Sequence, residues 1–188
     1  ESVLKKADIE AVVLERLKKG ELPLDKSGLY LVLTSEEVKV EEFCMSSCGF
    51  HDSAVAVTAQ GGEPERVAYG WVGNSAKQCP GYCAWPFAKA EYGPRGQEPL
   101  EPPNGDVGVE GMVINMATVL GGAATNPFLN GGYYQGDSRA PLEAVSACAG
   151  IFGEGAYPGD PGSLLFKDGS GGAAYNVDGS NGRRFLLP

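Results

Sequence analysis

Five cysteines carry the first chemical signal in the chain: Cys44, Cys48, Cys79, Cys83 and Cys148. Cys44 and Cys48 are separated by three residues, as are Cys79 and Cys83. Each pair can reach one tetrahedral ion, so the four together have a spacing compatible with a thiolate zinc site. The same four can close two structural disulfides, the commoner use of cysteine in small exported domains. Disulfides are the favoured reading, and the spacing does not choose among the three pairings that four cysteines allow. Cys148 is then unmatched. An odd cysteine in an exported protein usually has its partner elsewhere, here in residues outside this stretch.

Metallohydrolase chemistry asks for more than these residues offer. A catalytic zinc takes three protein ligands, usually His and carboxylate, and keeps one position open. The chain has one histidine, His51, and no His-Glu-x-x-His. His51 follows Cys48 by three residues, so a Cys–His catalytic pair is conceivable, but a hydrogen-bonded loop histidine beside a disulfide is the better account. No Gly-x-Ser-x-Gly elbow and no Gly-x-x-x-x-Gly-Lys loop is present. Gly105, Gly108 and Gly111 depart from the dinucleotide-binding spacing and read as close packing at a helix entry. Asp106 and Glu110, one helical turn apart, have the types of an acid–base pair. At the start of a helix, negative charge is favoured by the dipole, and capping explains them better. Asp168 and Asp178 sit in Asp-Gly-Ser turns that lack the twelfth-position Glu of a calcium loop, so they read as hairpin turns. Aromatic residues crowd one loop: Tyr82, Trp85, Phe87 and Tyr92, with Tyr133 and Tyr134 further on. Such side chains stack on sugar rings or anchor a protein partner, or else pin a long loop to the body.

The elements that position these residues follow from apolar spacing. Residues 8–19 read as an amphipathic helix with Asp8 as N-cap, an apolar face of Ile9, Val12, Val13 and Leu17, and Gly20 just past its end. Residues 29–34 form a continuous apolar run, a strand buried on both faces. Thr34 and Glu37 have capping-box spacing and open a short helix. Residues 44–66 read as a cysteine-pinned loop with a strand at 54–58, and residues 67–73 as a second core strand. Residues 74–106 form a long Pro- and Gly-rich loop, a length uncommon unless the loop is functional or cross-linked. Residues 107–124 are the central helix, capped by Asp106, with a stripe of Val109, Met112, Val113, Met116 and Leu120 and with Val119 beside it. Asn126-Pro127 stops it. A shorter helix at 141–149 carries Glu143 in its first turn. The tail alternates strands at 164–167, 173–177 and 185–187 with turns.

Composition narrows the function classes. The chain has 188 residues, a net charge of −9 and a pI near 4.6, so nucleic acid and anionic lipid are poor partners. No stretch reads as the ~18 apolar residues of a membrane span. The chain opens on Glu1 rather than Met, as a mature or truncated piece does.

In several segments the sequence resembles the plant EXORDIUM, or phosphate-induced, family. The resemblance runs through 28–35, Cys44, and Cys48-Gly49-Phe50-His51. It continues in Trp71-Val72-Gly73-Asn74-Ser75, in Gln78-Cys79-Pro80-Gly81-x-Cys83-Ala84-Trp85-Pro86-Phe87 and in Pro103-Asn104-Gly105-Asp106-Val107-Gly108-Val109. Further on come Thr125-Asn126-Pro127-Phe128, 140–148, 155–159 and Phe185-Leu186-Leu187-Pro188. The resemblance implies a secreted protein of the apoplast or cell wall, associated with brassinosteroid-responsive growth and cell expansion. It also implies a single domain over 1–188, lacking the family's N-terminal strand and helix and its C-terminal tail. That tail carries a further cysteine, a natural partner for Cys148.

A remoter resemblance bears on mechanism. Microbial relatives of the central helix are similar to zincin metalloproteases, with His-Glu-x-x-Glu ahead of Thr-Asp-Pro. Counted back from Thr125-Asn126-Pro127, the His position holds Thr118 and the Glu positions hold Val119 and Gly122. The expected fold is therefore α/β: a mixed sheet packed on a central helix, degenerate zincin-like, loop-rich and disulfide-linked. The expected function is non-catalytic, by binding a cell-wall glycan or extracellular protein through the 79–92 loop, with no cofactor and no metal. The rival is a hydrolase of wall polysaccharide or peptide working through His51, Glu143 or Asp106.

Overall fold

The computed structural model describes residues 2–58, 61–91, 98–130, 143–148, 151, 154–156, 166–167 and 173–188. They fall into two compact units. The first draws on Glu1–Thr34, Val38–Gly73 and Val119–Cys148, the second on Ser35–Glu37, Asn74–Thr118 and Ala149–Pro188.

The first unit is built on a three-stranded mixed sheet. β1 (Leu29–Thr34) runs parallel to β3 (Glu65–Gly73), and β2 (Gly49–Ala56) lies antiparallel to β3 on its other side. The central strand is buried along nearly its whole length, as its apolar run requires. β2 is longer than the expected 54–58 strand and starts beside Cys48. Side chains alternate across the sheet. On one face Trp71, which is fully buried, stands edge-on to Phe43 at 5.1 Å and tilted against Phe50 at 5.6 Å. Its indole N–H donates to Thr34 Oγ1 at 3.0 Å, which satisfies the one polar atom of the ring.

Helix α1 (Lys6–Lys18) buries Ile9, Val13 and Leu17, spaced by four, while Val12 is exposed. Asp8 is not its N-cap. It sits inside the first turn and reaches back to accept the Lys5 N–H at 2.7 Å. Lys6 lies over the Phe50 ring at 5.4 Å.

The other face of the sheet carries glycine at two positions, Gly49 and Gly70. A Cβ on Gly49 would lie 2.7 Å from Trp71 O and 3.1 Å from Val119 Cγ2, and one on Gly70 would lie 3.1 Å from Val119 Cγ1. These absences let the end of α3 (Val107–Thr125) settle directly on the strands. The expected apolar stripe of α3 has the wrong phase, because Val109 and Leu120 are exposed. The buried positions are Gly108, Glu110, Gly111, Val119, Gly122 and Ala123. A helix apolar nearly all round does not reveal its inward face through hydrophobicity. Close contact selects the small residues. By length and composition α3 is also apolar enough to cross a membrane, contrary to the sequence expectation, and about a third of it is buried.

The second unit gathers the 74–106 segment around the first part of α3. A Cβ on Gly108 would meet Asn74 Oδ1 and one on Gly111 would meet Ala84. Asn115 Nδ2 donates to Cys83 O at 2.7 Å. The long loop carries a short helix, α2 (Pro80–Cys83). Phe87 and Leu186 form the centre of a small core with Leu100, Val107 and Ile114 around it. Asp106 caps α3 as expected, accepting the Val109 N–H at 2.9 Å. Residues 35–37 form a turn rather than the expected helix. The Glu37 carboxylate accepts from the Ser35 side chain and from its own backbone instead, a local alternative to helical bonding. The tail holds β4 (Phe166–Lys167) paired with β5 (Ala174–Tyr175), and β6 (Val177–Asp178) paired with β7 (Arg184–Phe185).

The two-sided squeeze on β2 gives a direct test. Gly49→Ala is expected to cost about 1–3 kcal/mol through overpacking against the Trp71 carbonyl and Val119. Urea unfolding measures it, and a midpoint equal to wild type would contradict so close an approach of Trp71 O and Val119 to Gly49.

Candidate functional site

His51 stands in β2 opposite Gly70 of β3, on the same glycine-lined face. Its Nε2 lies 2.7 Å from Oε1 of Glu143, a residue 92 positions away. Glu143 precedes the short helix α4 (Ala144–Ala147). Two side chains place that helix. Thr125, at the end of α3, accepts the Ala144 N–H at 3.0 Å, and Ser146 Oγ accepts the Glu143 N–H at 3.1 Å. The expected helix at 141–149 is therefore shorter where it is described; residues 141, 142 and 149 lie outside the described residues.

Gly122 makes the room for this pair. A Cβ there would lie 2.2 Å from Glu143 Oε2 and 3.0 Å from His51 Nε2. The two side chains are 6% and 16% exposed. With Glu143 as a carboxylate, which only accepts, Nε2 is the donor in this contact. Nδ1 is buried and has no partner among the described residues. An imidazole braced by a carboxylate is the base-and-orienter half of many nucleophilic sites. Here neither ring nitrogen is offered to solvent. As it stands, the pair fastens the start of α4 to β2.

The three positions singled out on the central helix do other work. Thr118 is exposed, and its hydroxyl turns back to Ile114 O of its own helix at 3.5 Å. Val119 fills the hollow over Gly49 and Gly70, and Gly122 admits Glu143. Cys44, Cys48, Cys79 and Cys83 are disulfide-bonded, so their thiolates are not available to zinc. Cys148 is free and half-buried. Among the described residues, no group of three or more His, Cys, Asp or Glu stands ready to hold a metal ion.

The aromatic candidates separate by burial. Phe87 is 3% exposed and serves the core of the second unit. Tyr82 is exposed and Trp85 half-buried, which leaves these two able to meet a ligand. Tyr92, Tyr133, Tyr134 and Asp168 lie outside the described residues. Asp178 is exposed, with Arg184 Nε 3.6 Å away.

Glu110 departs furthest from its expected role. Helix-start carboxylates are normally solvated, but Glu110 is 1% exposed. The only sequence signal for this was its place within the small-residue face of α3, between Gly108 and Gly111. The His51–Glu143 contact had no such signal, because only the fold brings the two together.

The sequence pattern described as "Phosphate-induced protein 1 conserved region" matches residues 2–188. The chain is 52% identical over 176 residues to Protein PHOSPHATE-INDUCED 1 of Nicotiana tabacum, covering 94% of this chain and 54% of that protein. It is 57% identical over 165 residues to Protein EXORDIUM-like 2 of Arabidopsis thaliana, covering 86% and 51%. To Protein EXORDIUM of the same plant it is 54% identical over 163 residues, covering 87% and 50%. The chain thus spans about half the length of these curated relatives. No solved structure matches.

The fit around Gly122 is testable by a double-mutant cycle. Gly122→Ala is expected to destabilise by about 1–3 kcal/mol. In a Glu143→Ala background, with the blocking carboxylate gone, the same change should cost at least ~1 kcal/mol less. Equal costs in the two backgrounds would mean that Glu143 does not occupy the space beside Gly122.

Proposed function

Because the chain belongs to the phosphate-induced protein 1 family, we propose that it is part of a secreted, non-catalytic plant protein that acts by binding a cell-wall glycan or an extracellular protein. The observation that carries this reading is the state of Gly122. Where a zincin-like helix would present a carboxylate to a metal, this helix presents no side chain, and the space is taken by the His51–Glu143 pair. A degenerate zincin-like scaffold that keeps its helix while losing its chemistry fits this arrangement. Four cysteines held in disulfides favour an oxidising compartment, in line with the apoplast or cell wall. The link to brassinosteroid-responsive growth and cell expansion rests on the family resemblance.

On this reading Tyr82 and Trp85 supply the contact, since flat amphipathic rings stack on sugars and anchor protein partners at low entropic cost. The test is binding of the full-length secreted protein to wall-extract glycans and proteins. Trp85→Ala is expected to weaken capture of its principal ligand at least ~tenfold, about 1.4 kcal/mol. Unchanged capture would remove this loop from the binding surface.

One observation favours a second reading, a hydrolase of wall polysaccharide or peptide: the 2.7 Å imidazole–carboxylate contact itself. Such an enzyme must open the pair to solvent before His51 can move a proton. Hydrolysis by the full-length protein that Glu143→Gln lowers by ~100-fold or more would establish the enzyme. No turnover by wild type across both substrate classes would exclude it.

A further inference from the structure

Glu110 lies in the first turn of α3, within the second unit, and its carboxyl is sealed from solvent. Its two oxygens have different surroundings. Oε1 accepts the Asn104 backbone N–H at 3.2 Å and also the Asn104 side-chain amide. Oε2 is buried with no partner among the described residues. The other hydrogen of the Asn104 amide goes to the backbone O of Arg184 in β7 at 2.7 Å. Asn104 is therefore a clamp with Glu110 on one side and the tail strand on the other. The hairpin it grips is tied down further by Asn176, which exchanges two bonds with Leu187, at 2.7 and 2.8 Å.

An ionised carboxylate in this seat carries charge on an oxygen that nothing solvates, which is the expensive way to bury an acid. A neutral carboxyl places its proton on that same oxygen, where the O–H still has no acceptor among the described residues but no charge is buried, and accepts from Asn104 through the other. We propose that Glu110 is a proton-operated latch: the neutral acid leaves the Asn104 clamp and the β6–β7 hairpin closed, and ionisation, although it strengthens the individual Asn104 bonds, buries a charge that is relieved when the clamp and hairpin open to water.

The surrounding charges agree. Burial holds the Glu110 carboxyl above its usual value of 4.5, and the nearby Asp106 pushes it the same way. The Asn104 bonds and the Arg183 guanidinium pull it down without cancelling the rise. A group with a raised native pKa contributes stability that is complete below 4.5 and lost as the pH climbs through the raised value. The contribution of Glu110 to the second unit is accordingly greatest in acid. This goes beyond ligand binding and holds for either reading of function.

The experiment is an NMR titration of the whole chain combined with amide hydrogen exchange. The Glu110 carboxyl carbon should titrate with a midpoint above 4.5. After correction for intrinsic exchange, the amides of Asn104, Asn176 and Leu187 should be protected ~tenfold more for each unit by which that midpoint is raised, on going from about pH 7 to about pH 4.5. In Glu110→Gln, which keeps the shape and stays neutral, this protection should lose its pH dependence. A wild-type midpoint at or below 4.5 overturns the latch by itself, whether or not the variant folds. Parallel pH profiles in the two proteins overturn it as well.

Discussion

The last turns of α3 reach the sheet through Val119, whose methyls would stand 3.1 Å from a Cβ on Gly49 or on Gly70. Val119 is the knob that enters the hollow those glycines leave. Val119, Gly122 and Ala123, all buried, mark the inward face of these turns. From that facing the rest of the first unit follows. Gly122 is brought beside β2, Thr125 is aimed at the Ala144 N–H, and Glu143 arrives at His51. A bulkier residue at any of these glycines would turn the helix or lift it, and the contact between β2 and α4 would be lost.

This constraint accounts for the residues that stand along the last turns of α3. Thr118, Val119 and Gly122 serve solvent, packing and space respectively. The imidazole and carboxylate present in the unit come from β2 and from the start of α4 instead. They are spent on each other, with the remaining ring nitrogen buried. The second unit offers a different kind of group, a buried acid that grips a loop and a tail strand through one asparagine.

Much of the framework was legible in the sequence. β1 and β3 are continuous apolar runs, the bounds of α3 follow from spacing and from Asp106, and α1 was legible as a helix although it starts at Lys6, with Asp8 inside its first turn. What failed was the facing of α3. Val109 and Leu120 looked inward by hydrophobicity and are exposed, because the helix is apolar on every side and packs through glycine. Glu110 was misjudged for the same reason, since a carboxylate in a first turn is ordinarily solvated and only the inward phase shows otherwise. Phe87 and Trp85 stand two residues apart with the same aromatic signal, and packing alone separates core from surface. The partnership of His51 with Glu143 depends on a register and a helix end that no local pattern encodes. Both residues had been named as candidates, but not as a pair.

The state of the His51 ring tests the central claim most directly. Nitrogen-15 NMR of the imidazole in the folded chain should find the proton fixed on Nε2, slow to exchange with water and strongly shifted by the carboxylate it meets. Rapid averaging between tautomers, as in an imidazole open to solvent, would contradict the packing of α3, β2 and α4 on which the account rests.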